Sequence, residues 1–202
     1  MSQAMKLIYI IIFISLMGLL MGGCDLFETR EAEIPVGSAN IWNPPANPRE
    51  VLDNISLAFS LHDGLLYMKS FAQTGYSDSA FMFHPDWSSA SYDSTIFADW
   101  GYSAEQSFIL TLFSQDFIPL DSTASIQFIA ESEPPGEILP IYRENYTIII
   151  QHTQSNLPKE FSGRADIKFD RNHNSDWVII AWTDEQTGND PSLTELKSTL
   201  SN

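Results

Sequence analysis

The hydrophobic pattern changes character several times along the chain. From Leu7 to Leu20 it is an unbroken apolar run except for Ser15 and Gly18. That is shorter than the ~20 apolar residues a membrane-spanning helix needs, and it matches the core of a secretory signal. Asp25 to Ala46 is polar and irregular, with Pro35, Gly37, Pro44 and Pro45, and reads as a spacer. Asn47-Pro48-Arg49-Glu50 then predicts a helix start: Asn as cap, Pro at the first helical position and an acid three residues after the cap. Val51, Leu52, Ile55, Ala58 and Phe59 follow at helical spacing and predict a buried stripe.

Asp63-Gly64 breaks this pattern, and Leu65 to Phe71 predicts a second short helix before a turn at Gly75. Phe81 to Asp86 reads as a strand ended by Pro85. The Ser- and Asp-rich stretch from Trp87 to Asp99 reads as a loop, and Trp100 to Phe113 as a helix with Phe108, Ile109 and Leu112 on its apolar edge. After Pro119 the period falls to two. Ala124, Ile126, Phe128 and Ala130 alternate with Ser125, Gln127 and Glu131, and Pro134-Pro135-Gly136 marks a turn. Tyr146, Ile148, Ile150 and His152 share one face of the next predicted strand. Phe161, Gly163, Ala165, Ile167 and Phe169 alternate strictly with Ser162, Arg164, Asp166, Lys168 and Asp170, giving one dry and one wet face. Trp177 to Trp182 is apolar on both faces and is placed centrally. A last short helix, capped by Asp190 and Pro191, carries Leu193, Leu196 and Leu200. Helices first and long antiparallel strands last is an α+β order.

With 44% apolar and 12% aromatic residues, the chain can build an ordinary core. A single cysteine, Cys24, excludes an internal disulfide. The formal charge is −16, and loss of residues 1–23 would remove Lys6 and no acid, leaving 9 bases against 26 acids. No cluster of Lys and Arg exists to contact phosphates, which argues against nucleic acid as a partner.

Leu20-Met21-Gly22-Gly23-Cys24 resembles the lipobox of bacterial lipoproteins. The resemblance implies cleavage before Cys24, acylation of its thiol (palmitate among the acyl groups), and a domain held at the cell envelope facing the periplasm. The outer membrane is the expected location, with the inner membrane the alternative, since Asp25 beside the lipid site is a retention signal in some bacteria. The organisation expected is a signal peptide over 1–23, an acylated Cys24 and tether over 24–46, and a single domain over 47–202.

The helix from Pro48, the Phe81–Asp86 strand and the closing pair of strands, ending Asp176-Trp177-Val178-Ile179-Ile180-Ala181-Trp182-Thr183-Asp184, resemble the nuclear transport factor 2-like superfamily. The likeness covers about residues 47–186 and implies helices packed in a strongly curved antiparallel sheet, a cystatin-like cone with a pocket. Enzymes of that superfamily use acid–base chemistry inside the cone, and the residues that such a role would fall on here are His152, Tyr146, His84 and Asp86. Asp53 lies beside the buried stripe of the first helix, not on it. Trp177, Trp182, Ile148 and Ile150 would line a ligand pocket. The expected function is a lipid-anchored binding or scaffolding domain, partnered by the membrane through Cys24 and by a small apolar ligand or another envelope protein. The alternative is a small isomerase- or dehydratase-type enzyme. No cofactor is implied. Asp170, Asn172, Asn174 and Asp176 have the alternate spacing of a calcium loop, but Ser175 and Ala181 stand where that loop needs Gly and Glu, so a polar hairpin connection and no metal are expected.

Overall fold

The computed structural model describes residues 42–89, 91–132 and 141–201. The apolar run, Cys24, most of the spacer and the Pro134-Pro135-Gly136 turn lie outside these residues. Helix α1 (Pro48–Leu61) starts as its sequence dictates. The Asn47 side chain accepts from the Glu50 backbone N–H at 3.1 Å, and the Glu50 carboxylate accepts from the Ala46 N–H at 2.7 Å, so two otherwise orphaned donors are satisfied reciprocally. Its stripe of Val51, Leu52, Ile55, Ala58 and Phe59 is fully buried. Helix α2 (Gly64–Met68) is capped by Asp63, and β1 is only Met82–His84. The expected loop after it contains a single turn, α3 (Ser94–Phe97), capped by Asp93, before α4 (Tyr102–Leu112).

Strands β2 (Ala124–Ser132), β3 (Ile141–Ile150), β4 (Glu160–Arg171) and β5 (Trp177–Glu185) form a continuous antiparallel ladder, and the sheet order is β1-β5-β4-β3-β2. The antiparallel expectation needs one amendment: β1 joins the edge beside β5 and runs parallel to it. The β4 alternation is as its sequence predicts, with Phe161, Gly163, Ala165, Ile167 and Phe169 buried and the intervening residues on the wet face.

The two-sided apolarity of β5 has two causes. A register shift at Lys168/Phe169 pairs Phe169 with Ile179 but Lys168 with Ala181, leaving Ile180 as an extra residue. Backbone from Ser70 to Ala72 also hydrogen-bonds to Ile179 along the edge, with Ile179 N–H to Ser70 O at 2.8 Å and Ala72 N–H to Ile179 O at 2.9 Å.

The sheet is curved around α1. In a flat sheet β2 and β5 would lie about 14 Å apart, three strand spacings. Yet the Phe128 ring on β2 and the Trp182 ring on β5 have centroids 5.8 Å apart, with Tyr146 of β3 6.2 Å from Trp182. Only a sheet that folds over its concave face brings those rings together. At its rim, Arg49 of α1 binds the buried Glu144 of β3 through both guanidinium nitrogens, at 2.6 and 3.2 Å.

Helix α5 (Leu193–Leu200) is capped by Ser192, whose side chain accepts from the Thr194 N–H at 3.2 Å, and not by the expected Asp190-Pro191 pair. Its face of Leu193, Leu196 and Lys197 is buried against the rest of the fold.

Candidate functional site

Two buried polar clusters meet α5. In the first, the Lys197 ammonium pairs with the Glu105 carboxylate of α4, both side chains being 1% exposed. The same carboxylate accepts from the Tyr67 hydroxyl and from the Trp100 indole N–H, each at 2.7 Å. The ammonium also lies 4.0 Å from the ring centre of Phe83 and 4.9 Å from those of Trp100 and Phe108. An uncompensated buried charge would cost several kcal/mol, so this cation is held by a counter-ion and three aromatic faces. Burial pushes Lys197 below its ordinary value, opposed by Glu105 and Asp184. Burial pushes the Tyr67 hydroxyl well up, and Glu105 adds to this.

In the second cluster the Tyr146 hydroxyl donates to Asp184 at 2.6 Å and accepts from the Leu193 N–H at 2.8 Å. The other Asp184 oxygen accepts from the backbone N–H and the hydroxyl of Thr194, at 2.8 and 2.7 Å. Burial raises the Asp184 carboxyl, partly offset by hydrogen bonds from Tyr146 and Thr194. Burial likewise pushes the Tyr146 hydroxyl well above its ordinary value, and the neighbouring Asp184 adds to this. The tyrosine fits because β4 presents Gly163 beneath it: a Cβ there would fall 2.5 Å from the Tyr146 hydroxyl oxygen and 2.8 Å from the Glu185 carbonyl oxygen.

An acid–tyrosine pair raised by burial is capable of proton transfer. Here both groups are committed to the start of α5, and their exposures of 2% and 3% leave no place for a reacting molecule beside them.

The expected acid–base residues are therefore distributed as follows. Tyr146 is in this cluster. Asp86 is buried, but as an anchor: its carboxylate accepts from Ser88 and from the Gln186 N–H, while its own N–H donates to the Thr194 hydroxyl. Burial works to raise its carboxyl, but hydrogen bonds from Ser88, Gln186 and Ser89 outweigh it and hold the group below its ordinary range. His84 is exposed on the edge strand. His152 lies past the end of β3, buried against the Phe117 ring with centroids 5.0 Å apart, one ring nitrogen 2.8 Å from the Pro158 carbonyl oxygen and the other without a partner. Asp53 is exposed. Ile148, Ile150 and Trp182 are core residues, and half-buried Trp177 donates its indole N–H to the Ala46 carbonyl at 3.0 Å with Arg171 4.5 Å over its ring.

Glu105, Asp184 and Lys197 were not singled out by sequence reasoning, although each carries a signal. Each is a charged residue at a stripe position: 105 with 108, 109 and 112; 197 with 193, 196 and 200; and 184 two residues after Trp182.

Among the cavities on the surface of the described residues, one of about 590 Å³ lies between the end of α4, the β3–β4 connection and Leu200, and another, about 430 Å³, lies between α3, α4 and Leu200. A further one, about 250 Å³, is framed by Trp42, the segment following α2 and the β4–β5 hairpin. That hairpin is an Asn-centred turn in which the Asn172 side-chain oxygen accepts from the N–H groups of Asn174 and Asp176, and Ser175 takes a left-handed conformation (φ 69°). No group of three or more His, Cys, Asp or Glu among the described residues is placed to hold a metal ion.

No protein-family model matches the chain, and no curated protein matches it. Among solved structures the chain is similar to a nuclear transport factor 2-like superfamily protein from Salmonella enterica, with a TM-score of 0.48 and 12% identity over 69% of this chain and 88% of that one. It is also similar to a nuclear transport factor 2-like protein of unknown function from Shewanella oneidensis, with a TM-score of 0.45 and 10% identity over 67% and 93% of the two chains. A third is ActVI-ORFA from Streptomyces coelicolor, with a TM-score of 0.46 and 9% identity over 67% and 91%.

Proposed function

We propose that this chain is a lipid-anchored protein of the bacterial cell envelope whose folded part binds or scaffolds and does not catalyse. The observation that carries the binding half is the docking of α5. In the acid–tyrosine pair suited to proton transfer, the Tyr146 hydroxyl donates to Asp184 and accepts from the Leu193 N–H, and Asp184 accepts from the N–H and hydroxyl of Thr194, so both groups are bonded to the chain's own helix. Support for the anchor is the order of features before the fold: Lys6, the apolar run, Gly22-Gly23 and the lone Cys24.

The two halves are tested separately. Growth of producing bacteria with a clickable palmitate analogue should label the wild type and leave Cys24→Ala unlabelled; equal labelling would refute the anchor. For the sealed interior, the Leu193 and Thr194 amides should exchange with solvent only as slowly as global unfolding allows. Exchange orders of magnitude faster would mean that α5 opens, and would restore the isomerase- or dehydratase-type reading with Asp184 and Tyr146 as its acid–base pair.

A further inference from the structure

The 250 Å³ cavity differs from the sealed clusters because several of its polar groups are unspent. Its floor is apolar, from Met68, Phe71, Ala72 and Val178. Aromatic side chains of Trp42, Tyr76 and Tyr102 stand around that floor, and Gln73, Asn174 and Asp176 add polar edges. The Gln73 and Asn174 side-chain amides and the Tyr76 and Tyr102 hydroxyls have no hydrogen-bond partner among the described residues. Lys69 sits 5.4 Å over the Trp42 ring.

The walls are fixed by backbone bonds. The His173 N–H donates to the Tyr76 carbonyl at 2.8 Å, tying the hairpin to the segment after α2, while Ile179 is bonded on both sides to Ser70 and Ala72. A site whose walls are already in place pays little ordering cost when a ligand arrives.

The chemistry selects the ligand. An apolar molecule would strip water from the free amides and hydroxyls and give nothing back, at a cost for each. An anion would meet Asp176 and the net charge of −16, and a cation, although that net charge attracts it, would have to displace the Lys69 ammonium from the Trp42 ring. What remains is a neutral molecule with a weakly positive C–H face for the aromatic rings and hydroxyls at its edge for amides and phenols. At about 250 Å³ the cavity is just under the range of small-molecule pockets, so it takes one ring and not a chain of them.

We infer that this cavity is a subsite for a single neutral pyranose unit, free or at the end of a glycan, seated against Trp42, Tyr76 and Tyr102 and hydrogen-bonded by Gln73, Asn174 and Asp176. This deepens the binding role proposed above and rests on it.

The test is saturation-transfer nuclear magnetic resonance on the full chain, in a detergent without a sugar headgroup, with glucose, galactose, mannose and N-acetylglucosamine at millimolar concentration. At least one sugar should receive saturation through its ring C–H protons. Glucuronic acid and glucosamine should bind more weakly than their neutral parent. Trp42→Ala, and separately the exposed pair Gln73→Ala with Asn174→Ala, should weaken binding by about tenfold or more, the worth of one or two hydrogen bonds. Absence of transfer to all four sugars, or transfer that both variants leave unchanged, overturns the assignment. A protein that takes no sugar but keeps its palmitate label and slow Leu193 exchange loses only this subsite. Rapid Leu193 exchange would remove the binding-only reading whatever the sugars do.

Discussion

Asp184 at one end of β5 and Asn174 just before the other end are treated in opposite ways. At Asp184 a carboxylate is 3% exposed and every partner comes from the protein itself. At the other end, beside Trp177, the strand begins from an Asn-rich hairpin whose Asn174 amide faces a cavity with no partner among the described residues. Buried polar groups cost stability unless they are satisfied, so a satisfied cluster is explained by folding alone. Free groups around a preformed hollow gain nothing for folding. The contrast therefore separates parts of the molecule that hold it together from parts whose polar groups folding does not use.

The strongest way to break this comparison is to unpair the sealed interior. Lys197→Ala leaves the Glu105 carboxylate buried without its counter-ion and should cost about 3–5 kcal/mol, read as a fall in the denaturation midpoint. Adding Glu105→Gln should recover part of the loss, because the remaining charge goes too. A Lys197→Ala midpoint within error of wild type would mean that α5 does not seal the fold.

The two tryptophans of β5 sharpen the contrast along one strand. Trp182, 2% exposed among Phe128 and Tyr146, should cost about 3–5 kcal/mol on truncation to Ala. Trp177 gives up one hydrogen bond and one cation contact, about 1–2 kcal/mol together. Chemical denaturation of both variants measures the gap, and equal losses would remove the distinction between the two ends.

Gly163→Ala tests the fit of Tyr146. Its Cβ would lie under the phenol, and the strain should cost about 1–3 kcal/mol and shift the tyrosine signal in near-ultraviolet circular dichroism.

The smallest effect is a difference in pH slope between two buried aspartates. The folded Asp86 titrates below its ordinary 3.8, so its contribution is present above that value and is lost as pH falls through the lower folded value. Asp184 is raised above 3.8, so its contribution is full below 3.8 and fades as pH rises through the higher folded value. Denaturation midpoints followed across the acid range should therefore steepen for Asp184→Asn and flatten for Asp86→Asn, relative to wild type. The same change of slope in both would contradict their opposite environments.

Much of the fold was legible because local pattern and burial coincide. The α1 cap, the alternation of β4 and the apolar stripe of α4 each follow from nearest neighbours in sequence. The edge at β1 was not legible, since its parallel pairing with β5 joins residues about a hundred positions apart. His152 keeps the period of two, buried like Tyr146, Ile148 and Ile150, but it lies beyond the end of β3, where the imidazole packs on Phe117 and reaches the Pro158 carbonyl, contacts that no local spacing encodes. Asp184, Glu105 and Lys197 were visible as charges on apolar stripes, yet their pairing depends on where α5 docks, which no local spacing encodes. The cavity beside Trp177 draws on Trp42, the segment after α2, the start of α4 and the hairpin, and so has no signature in any one stretch.

The small residue at position 163 also works as a registration mark for strand assembly. Slipping β4 by one residue against β3 would turn its dry face outward, which the apolar alternation already forbids. Slipping it by two would keep the faces correct, and periodicity alone would not object. Such a slip would bring Ala165 or Phe161 opposite Tyr146 in place of Gly163, where even one added carbon collides with the phenol. Because Asp184 and Leu193 hold the phenol in place, a hairpin mispaired in this way is rejected sterically when β5 and the last helix dock on it.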